Sequence, residues 1–298
     1  MRIGLVLGAG GVTGHAFHVG VLQAVEAVTG WNPRSADVVV GTSAGSVVGA
    51  LLRADVDDIR PRPPERSLIP ATGARAPRPF ASPELLLRSG LRPWTARFGK
   101  VAAATLPEGR VSTELIVADM RALFDGWTAR PLWINAMRLD SGARVTFGRD
   151  GAPTTDVATA IAASCAIPSF FAPVEIDGVR YVDGGAHSPT NADLLAGEGL
   201  DLVVVSSPMS ITATTTRFAL DTAGRRLSRY YLAQEVGRVR KAGTPVITFQ
   251  PTPADLAVMG INAMDASRRL PIIEQVAASA RARLERPDAA ERIARLAS

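Results

Sequence analysis

Cysteine, histidine and lysine are all scarce in this 298-residue sequence. The one cysteine, Cys165, cannot close an internal disulfide, so a fold stapled by bridges is excluded and a reducing compartment fits. With the three histidines, His15, His18 and His187, it makes no spacing of a zinc site. Lysine occurs only at Lys100 and Lys241, so the formal charge of +5 is carried by arginine. A coding bias toward arginine explains that; attraction to anionic lipid surfaces is its functional counterpart, and nucleic acid is not among the expected partners. Long apolar runs are also missing. Ile3–Leu7 is too short for a signal-peptide core, and nothing approaches the roughly 18 residues of a membrane span. The expected location is cytoplasmic, with any membrane contact peripheral. No repeat is visible, and the oligomeric state is left open.

What is present is apolar sequence, 47% of the chain with only 20% charged, cut into short blocks by glycine and proline. Such a composition suits a globular protein with a sizeable core. Ile3–Leu7 reads as a buried strand, Gly8-Ala9-Gly10-Gly11 as a turn, and about Thr13 to Val28 as a helix. Ala36–Val40 is a second strand; the turn Gly41-Thr42-Ser43-Ala44-Gly45 leads into a helix ending near Arg53. Repeated strand-turn-helix units predict a parallel sheet covered on both faces. Residues 55–109 are rich in proline and arginine around the apolar stretch Leu85-Leu86-Leu87, and read as an insertion: a solvated loop with one packed helix, or a lid. Beyond it the pattern predicts a helix over 113–124, a hairpin of 132–139 and 144–147, a helix over 155–165 and a strand pair within 174–182. Strands follow near 202–205 and 245–249, flanking a helix over 217–242, and a helical tail runs over 263–297, broken by Pro271 and Pro287.

Three features carry chemistry. Gly41-Thr42-Ser43-Ala44-Gly45 matches G-x-S-x-G between a strand and a helix, the setting that projects a serine hydroxyl from a tight turn and aims a helix N-terminus at a developing anion. Gly8-Ala9-Gly10-Gly11-Val12-Thr13-Gly14 presents bare backbone N–H groups of the kind an oxyanion needs. It also reads as a dinucleotide-binding turn, but that fold expects an acidic residue at the end of the second strand, which here ends in Gly41. The third feature is Asp183-Gly184-Gly185 after a short strand, where glycines allow a bend that turns the carboxylate into a cleft.

In this order and at these separations, the glycine loop, the elbow and the D-G-G triplet resemble a patatin-like phospholipase domain over roughly residues 3–205. Ala163-Ser164-Cys165-Ala166-Ile167-Pro168, Phe171-Ala172-Pro173-Val174 and the Tyr181-Val182 lead into Asp183 resemble the family's approach to its aspartate. The resemblance implies a three-layer α/β/α fold with a mainly parallel central sheet, a Ser-Asp dyad without histidine, and hydrolysis of acyl esters of lipids with neither cofactor nor metal. On that reading Ser43 is the nucleophile, Asp183 the base, and Gly10, Gly11, Val12 and Ala44 line the oxyanion hole, with Gly41 and Gly45 shaping the elbow. Thr13 stands where the family's pattern carries arginine or lysine; the backbone donors survive that change. The expected organisation is one domain over 1–298, with a catalytic core near 3–205 and a helical C-terminal part over 253–298.

A carboxylate of ordinary pKa is a weak base for a serine hydroxyl, so Asp183 must act at hydrogen-bond range in a partly desolvated site. His187, four residues on, offers a triad as the alternative base. An acyltransferase using the same acyl-enzyme, and a silent lipid-binding protein that keeps only the fold, are the rival functions.

Overall fold

The computed structural model describes residues 1–60, 81–85, 98–212, 220–287 and 289. They fall into two compact units, one of Met1–Pro63 with Pro189–Ser298, the other of Pro64–Ser188. The fold is mixed α/β, a central sheet flanked by helices, as expected.

In the first unit four short apolar blocks become parallel strands: β1 (Ile3–Leu7), β2 (Val38–Thr42), β7 (Leu202–Ser206) and β8 (Val246–Phe249). Every residue of β1, β2 and β7 is buried, which explains why they are apolar up to the C-terminal Thr42 and Ser206: a parallel sheet covered on both faces has no wet side to mark with alternating polar residues. Their order is β2-β1-β7-β8, with Leu7 opposite Gly41 and Ser206, and Ser206 opposite Phe249. The four C-terminal ends therefore lie in one row. From β1 the chain crosses to β2 on one side, and β7 and β8 lie on the other. The crevice beyond Leu7 and Ser206 is thus a topological switch point, where open α/β sheets bind ligands.

Helix α1 (Gly11–Thr29) leaves β1 and ends at Gly30, whose left-handed backbone (φ 72°) returns its N–H to the Glu26 carbonyl. Helix α2 (Ala44–Arg53) leaves β2.

The second unit holds helix α3 (Phe98–Thr105), helix α4 (Glu114–Arg121), the antiparallel strands β3 (Leu132–Arg138), β4 (Arg144–Phe147), β5 (Val174–Ile176) and β6 (Val179–Asp183), and helix α5 (Val157–Cys165). β3 pairs with β4 and β6, and β6 with β5. The strands of the first unit thus pair in parallel, and those of the second unit antiparallel. Asp156 caps α5 by accepting the Thr159 N–H.

Part of the 55–109 insertion belongs to the core. Ala81, Leu85, Ala103 and Ala104 are buried against Met137, Leu139 and Val182, and Arg180 joins Glu108 at 2.8 Å and the Ala81 carbonyl at 3.0 Å. The remainder of the lid reading, residues 61–80 and 86–97, lies outside the described residues.

The described residues of the first unit also include the helices α6 (Leu220–Lys241), α7 (Pro253–Met259) and α8 (Arg269–Leu284). α7 opens the C-terminal helical part where it is expected to begin, and Thr252 and Asp255 form a capping box at its start. Pro271 does not break the tail as expected. It lies in the first turn of α8, where a missing N–H leaves no helical bond unmade. Among the described residues no helix is long and apolar enough to cross a membrane.

Candidate active site

Ser43 occupies the junction of β2 and α2 at φ 54°, ψ −123°, a conformation that disfavours any residue with a Cβ and stores roughly 1–3 kcal/mol. Its carbonyl accepts the Ser46 N–H at 2.8 Å and the Ser46 hydroxyl at 2.6 Å, which fastens the first turn of α2 onto the elbow. Space around it is closed by backbone. A Cβ on Gly45 would fall 2.0 Å from the Leu7 carbonyl oxygen, and one on Gly41 would fall 2.5 Å from the Ser46 Cα. The two glycines of G-x-S-x-G are thus steric necessities: Gly45 lets the elbow rest directly on the end of β1, and Gly41 lets the first turn of α2 fold back on β2. The serine itself is 4% exposed.

The neighbouring turn is equally constrained. Gly8 donates to the Ser206 carbonyl, Ala9 to Pro189 and Thr13 to Ala263, whereas among the described residues no acceptor meets the N–H groups of Gly10, Gly11, Val12 or Ala44. Four free donors at the starts of two helices, on adjacent paired strands, make a setting for a developing negative charge. Gly11 has φ 60°, and a Cβ there would meet the Ala263 oxygen at 2.7 Å. Thr13 is buried, with its hydroxyl toward the Gly10 carbonyl at 3.5 Å. It closes the turn from below and adds no charge.

Asp183 ends β6 in the second unit, opposite Ala136 of β3, and is 5% exposed. One carboxylate oxygen accepts the Gly185 N–H at 2.7 Å, and its own N–H binds the Ala166 carbonyl just past α5. Gly184 must be glycine, because a Cβ would lie 2.3 Å from the Asn135 oxygen. His187 closes the 3-10 turn after the aspartate by donating its N–H to the Gly184 carbonyl. The Ala163–Pro168 segment thus supports the aspartate from below, with the Ser164 hydroxyl on the Asn135 carbonyl at 2.6 Å.

The other histidines are structural. His18 is fully buried, with Nε2 2.8 Å from the Gly8 carbonyl and Nδ1 2.8 Å from the Ser206 hydroxyl. A carbonyl only accepts, so Nε2 carries the proton and Nδ1 receives the serine hydroxyl. The ring thereby joins the ends of β1 and β7 at the switch point. His15 donates Nε2–H to the Ile59 carbonyl at 2.7 Å. Burial lowers the His15 pKa to about 4 and that of His18 to about 3. Both rings are neutral in the fold, while the unfolded chain takes up protons below about pH 6.5. Their contribution to stability is therefore complete above that pH and is lost as pH falls toward 4 and 3. Urea unfolding between pH 8 and 5 is expected to show stability falling by up to about 1.4 kcal/mol per pH unit per histidine below 6.5. In a His15→Gln/His18→Gln variant that slope disappears; an unchanged slope assigns it elsewhere.

Sequence reasoning missed the residues behind the elbow. Asn191 Nδ2 donates to the Thr42 hydroxyl at 3.1 Å, and Glu235 of α6 accepts from the Thr190 hydroxyl and the Ala192 N–H. None belongs to a motif, and Glu235 sits in a helix where Arg226, Arg229, Arg238, Arg240 and Lys241 are exposed. Among the described residues no cluster of histidine, cysteine and carboxylate could hold a metal ion.

The chain is similar to known proteins in sequence and in fold. Uncharacterized NTE family proteins of Mycobacterium bovis and Mycobacterium tuberculosis are each 30% identical over 211 residues, 69% of this chain and 49% of theirs. The chain thus spans about half the length of the curated relatives it matches. In fold it is similar to VipD from Legionella pneumophila, with a TM-score of 0.51 at 14% identity over 95% of this chain and 67% of that one. The patatin-like phospholipase family model matches residues 5–196, a span that holds the glycine turn, the Ser43 elbow and Asp183, and the chain belongs to that family.

Proposed function

We propose that the protein is a serine esterase that hydrolyses acyl esters of lipids, with Ser43 as nucleophile and Asp183 as base. The observation that carries this reading is the elbow: a serine held at φ 54° between β2 and α2, beside a turn whose Gly10, Gly11 and Val12 N–H groups have no acceptor among the described residues. Family membership supports it.

Ser43 Oγ attacks the ester carbonyl while its proton passes to the Asp183 carboxylate. Transfer need only accompany attack, so an aspartate acting at hydrogen-bond range suffices without histidine. Negative charge on the tetrahedral oxygen is taken up by the N–H groups of Gly10, Gly11, Val12 and Ala44; one such donor is typically worth about a hundred- to a thousandfold in rate. Collapse breaks the ester C–O bond, and the departing alcohol takes the proton from Asp183. Water then gives a proton to Asp183, attacks the acyl-serine and releases the fatty acid as the proton returns to Ser43.

Hydrolysis of p-nitrophenyl esters of increasing acyl length, by wild type, Ser43→Ala, Asp183→Asn and His187→Ala, tests this. Wild type turns over, the first two variants fail, and His187→Ala stays within about tenfold of wild type. A His187→Ala loss as deep as that of Ser43→Ala moves the base to histidine. Product analysis with an added alcohol acceptor separates hydrolysis from acyl transfer.

A further inference from the structure

A charged group sits deep in the first unit with no part in the scheme above. Glu235, on the buried face of α6, is 1% exposed, and a carboxylate so placed is retained only against strong hydrogen-bond partners. One of its oxygens accepts from the Thr190 hydroxyl at 2.7 Å and from the Ala192 N–H at 2.9 Å. These two donors bracket Asn191, which is completely buried in the left-handed conformation at φ 55°, ψ 30°. Gripping both neighbours holds that kink in place, and the kink delivers the Asn191 amide to the hydroxyl of Thr42, the residue before Ser43. Two residues earlier in the same segment, the Pro189 carbonyl receives the Ala9 N–H at 2.7 Å, immediately before the free donors of Gly10, Gly11 and Val12. Segment 189–192 therefore touches both halves of the candidate site, the elbow and the oxyanion turn, from behind. A second tie, Arg238 to Asp193 at 3.3 Å, joins α6 to the same stretch closer to solvent.

We infer that Glu235 is a positioning residue for catalysis: through Thr190, Ala192 and Asn191 it fixes the spacing between the Ser43 elbow and the Gly10–Val12 donors. The inference rests on the esterase reading. Its physical basis is that displacing a reacting group by about 1 Å can lower turnover about a hundredfold even where every reacting group is still present. Glu235 never meets substrate. Its effect belongs in kcat rather than in KM, because the oxyanion donors act in the transition state.

The experiment is ester hydrolysis with the concentration of competent sites titrated by a fluorophosphonate, so that misfolded protein does not count. Glu235→Leu is expected to lower kcat per titrated site by about ten- to a hundredfold with KM within about threefold. Glu235→Gln, whose amide oxygen can still accept both donors, recovers to within about threefold of wild type. Asn191→Gly keeps the left-handed backbone but removes the amide, so it reads the same brace without disturbing a buried charge, and its loss matches that of Glu235→Leu. The double variant is no worse than the weaker single, as expected for two members of one chain of contacts. Unchanged kcat per titrated site in Asn191→Gly and Glu235→Leu, even with a lowered melting temperature, reduces Glu235 to a structural residue and leaves the esterase reading intact. A folded wild type that neither hydrolyses esters nor reacts with the fluorophosphonate overturns both.

Discussion

Ser43→Ala and Asp183→Asn are each expected to lower acyl-ester turnover by on the order of ten-thousandfold or more, and the double variant to be no worse than either alone. Nucleophile and base act as one unit, so losing either forfeits the acyl-enzyme route. Both substitutions keep the backbone contacts around the site. Alanine at 43 keeps the elbow's strained backbone and the carbonyl that receives Ser46, and asparagine at 183 still offers an oxygen to the Gly185 N–H. Melting temperatures close to wild type are therefore part of the expected result, which separates dead chemistry from lost structure. Ser43→Gly sharpens the test. Glycine relieves the φ 54° conformation, so that variant is expected to be more stable than wild type by about 1 kcal/mol yet equally inert. A serine kept at such a position against its own conformational preference is what a nucleophile elbow predicts. Retained turnover in Ser43→Ala, with the fold intact, removes the esterase reading.

The parts of this molecule legible in its sequence are those where a local rule and the fold agree. β1, β2, β7 and β8 are short apolar blocks between turn residues, and a two-sided parallel sheet asks for nothing else. Gly41, Gly45 and Gly184 are recognisable as motif members, and the structure supplies a reason the motif alone cannot: a Cβ on Gly45 or Gly184 would strike the backbone of another strand, and one on Gly41 the first turn of α2. Pro271 misled because proline punctuates a helix only past its first turn, and that turn's location depends on the 3-10 stretch Ala266–Arg268 before it. The described flanks of the insertion fit a packed helix beside a loop, but composition does not say which residues pack. A proline- and arginine-rich composition reads as solvated, while Leu85, Ala103 and Ala104 are drawn into the core by Met137, Leu139 and Val182 from far along the chain. His18, Asn191 and Glu235 were illegible for the same reason. Their partners lie 188, 149 and 45 residues away, and no periodicity encodes a contact that only tertiary folding creates.

The largest expected structural effect belongs to Gly45. In Gly45→Ala the new methyl group would sit 2.0 Å from the Leu7 carbonyl oxygen, 2.4 Å from its carbon and 2.8 Å from the Gly8 oxygen. All three are backbone atoms, so no side chain can rotate away. Leu7 cannot retreat either, since it is registered with Gly41 on one side and Ser206 on the other. Relief must come from α2 lifting off β1 by about an ångström, which carries the Ser43 elbow and the Ala44 N–H with it. Overpacking against an unyielding wall typically costs about 1–3 kcal/mol, and a wall of central-strand backbone belongs at or beyond the upper end. Urea unfolding should register that loss. Because the displaced groups are the nucleophile and an oxyanion donor, fluorophosphonate labelling of the protein that still folds should slow by about a hundredfold or more. Gly224→Ala and Gly237→Ala on α6 are the matched controls. A Cβ at either meets nothing within 4 Å, so each should raise helix stability by up to about 1 kcal/mol and leave labelling unchanged. The contrast isolates the cause, since the chemical change is identical and only the neighbouring backbone differs. A Gly45→Ala protein that unfolds and labels like wild type would mean that α2 does not rest on β1 as described, and the elbow geometry on which the function is argued would fall with it.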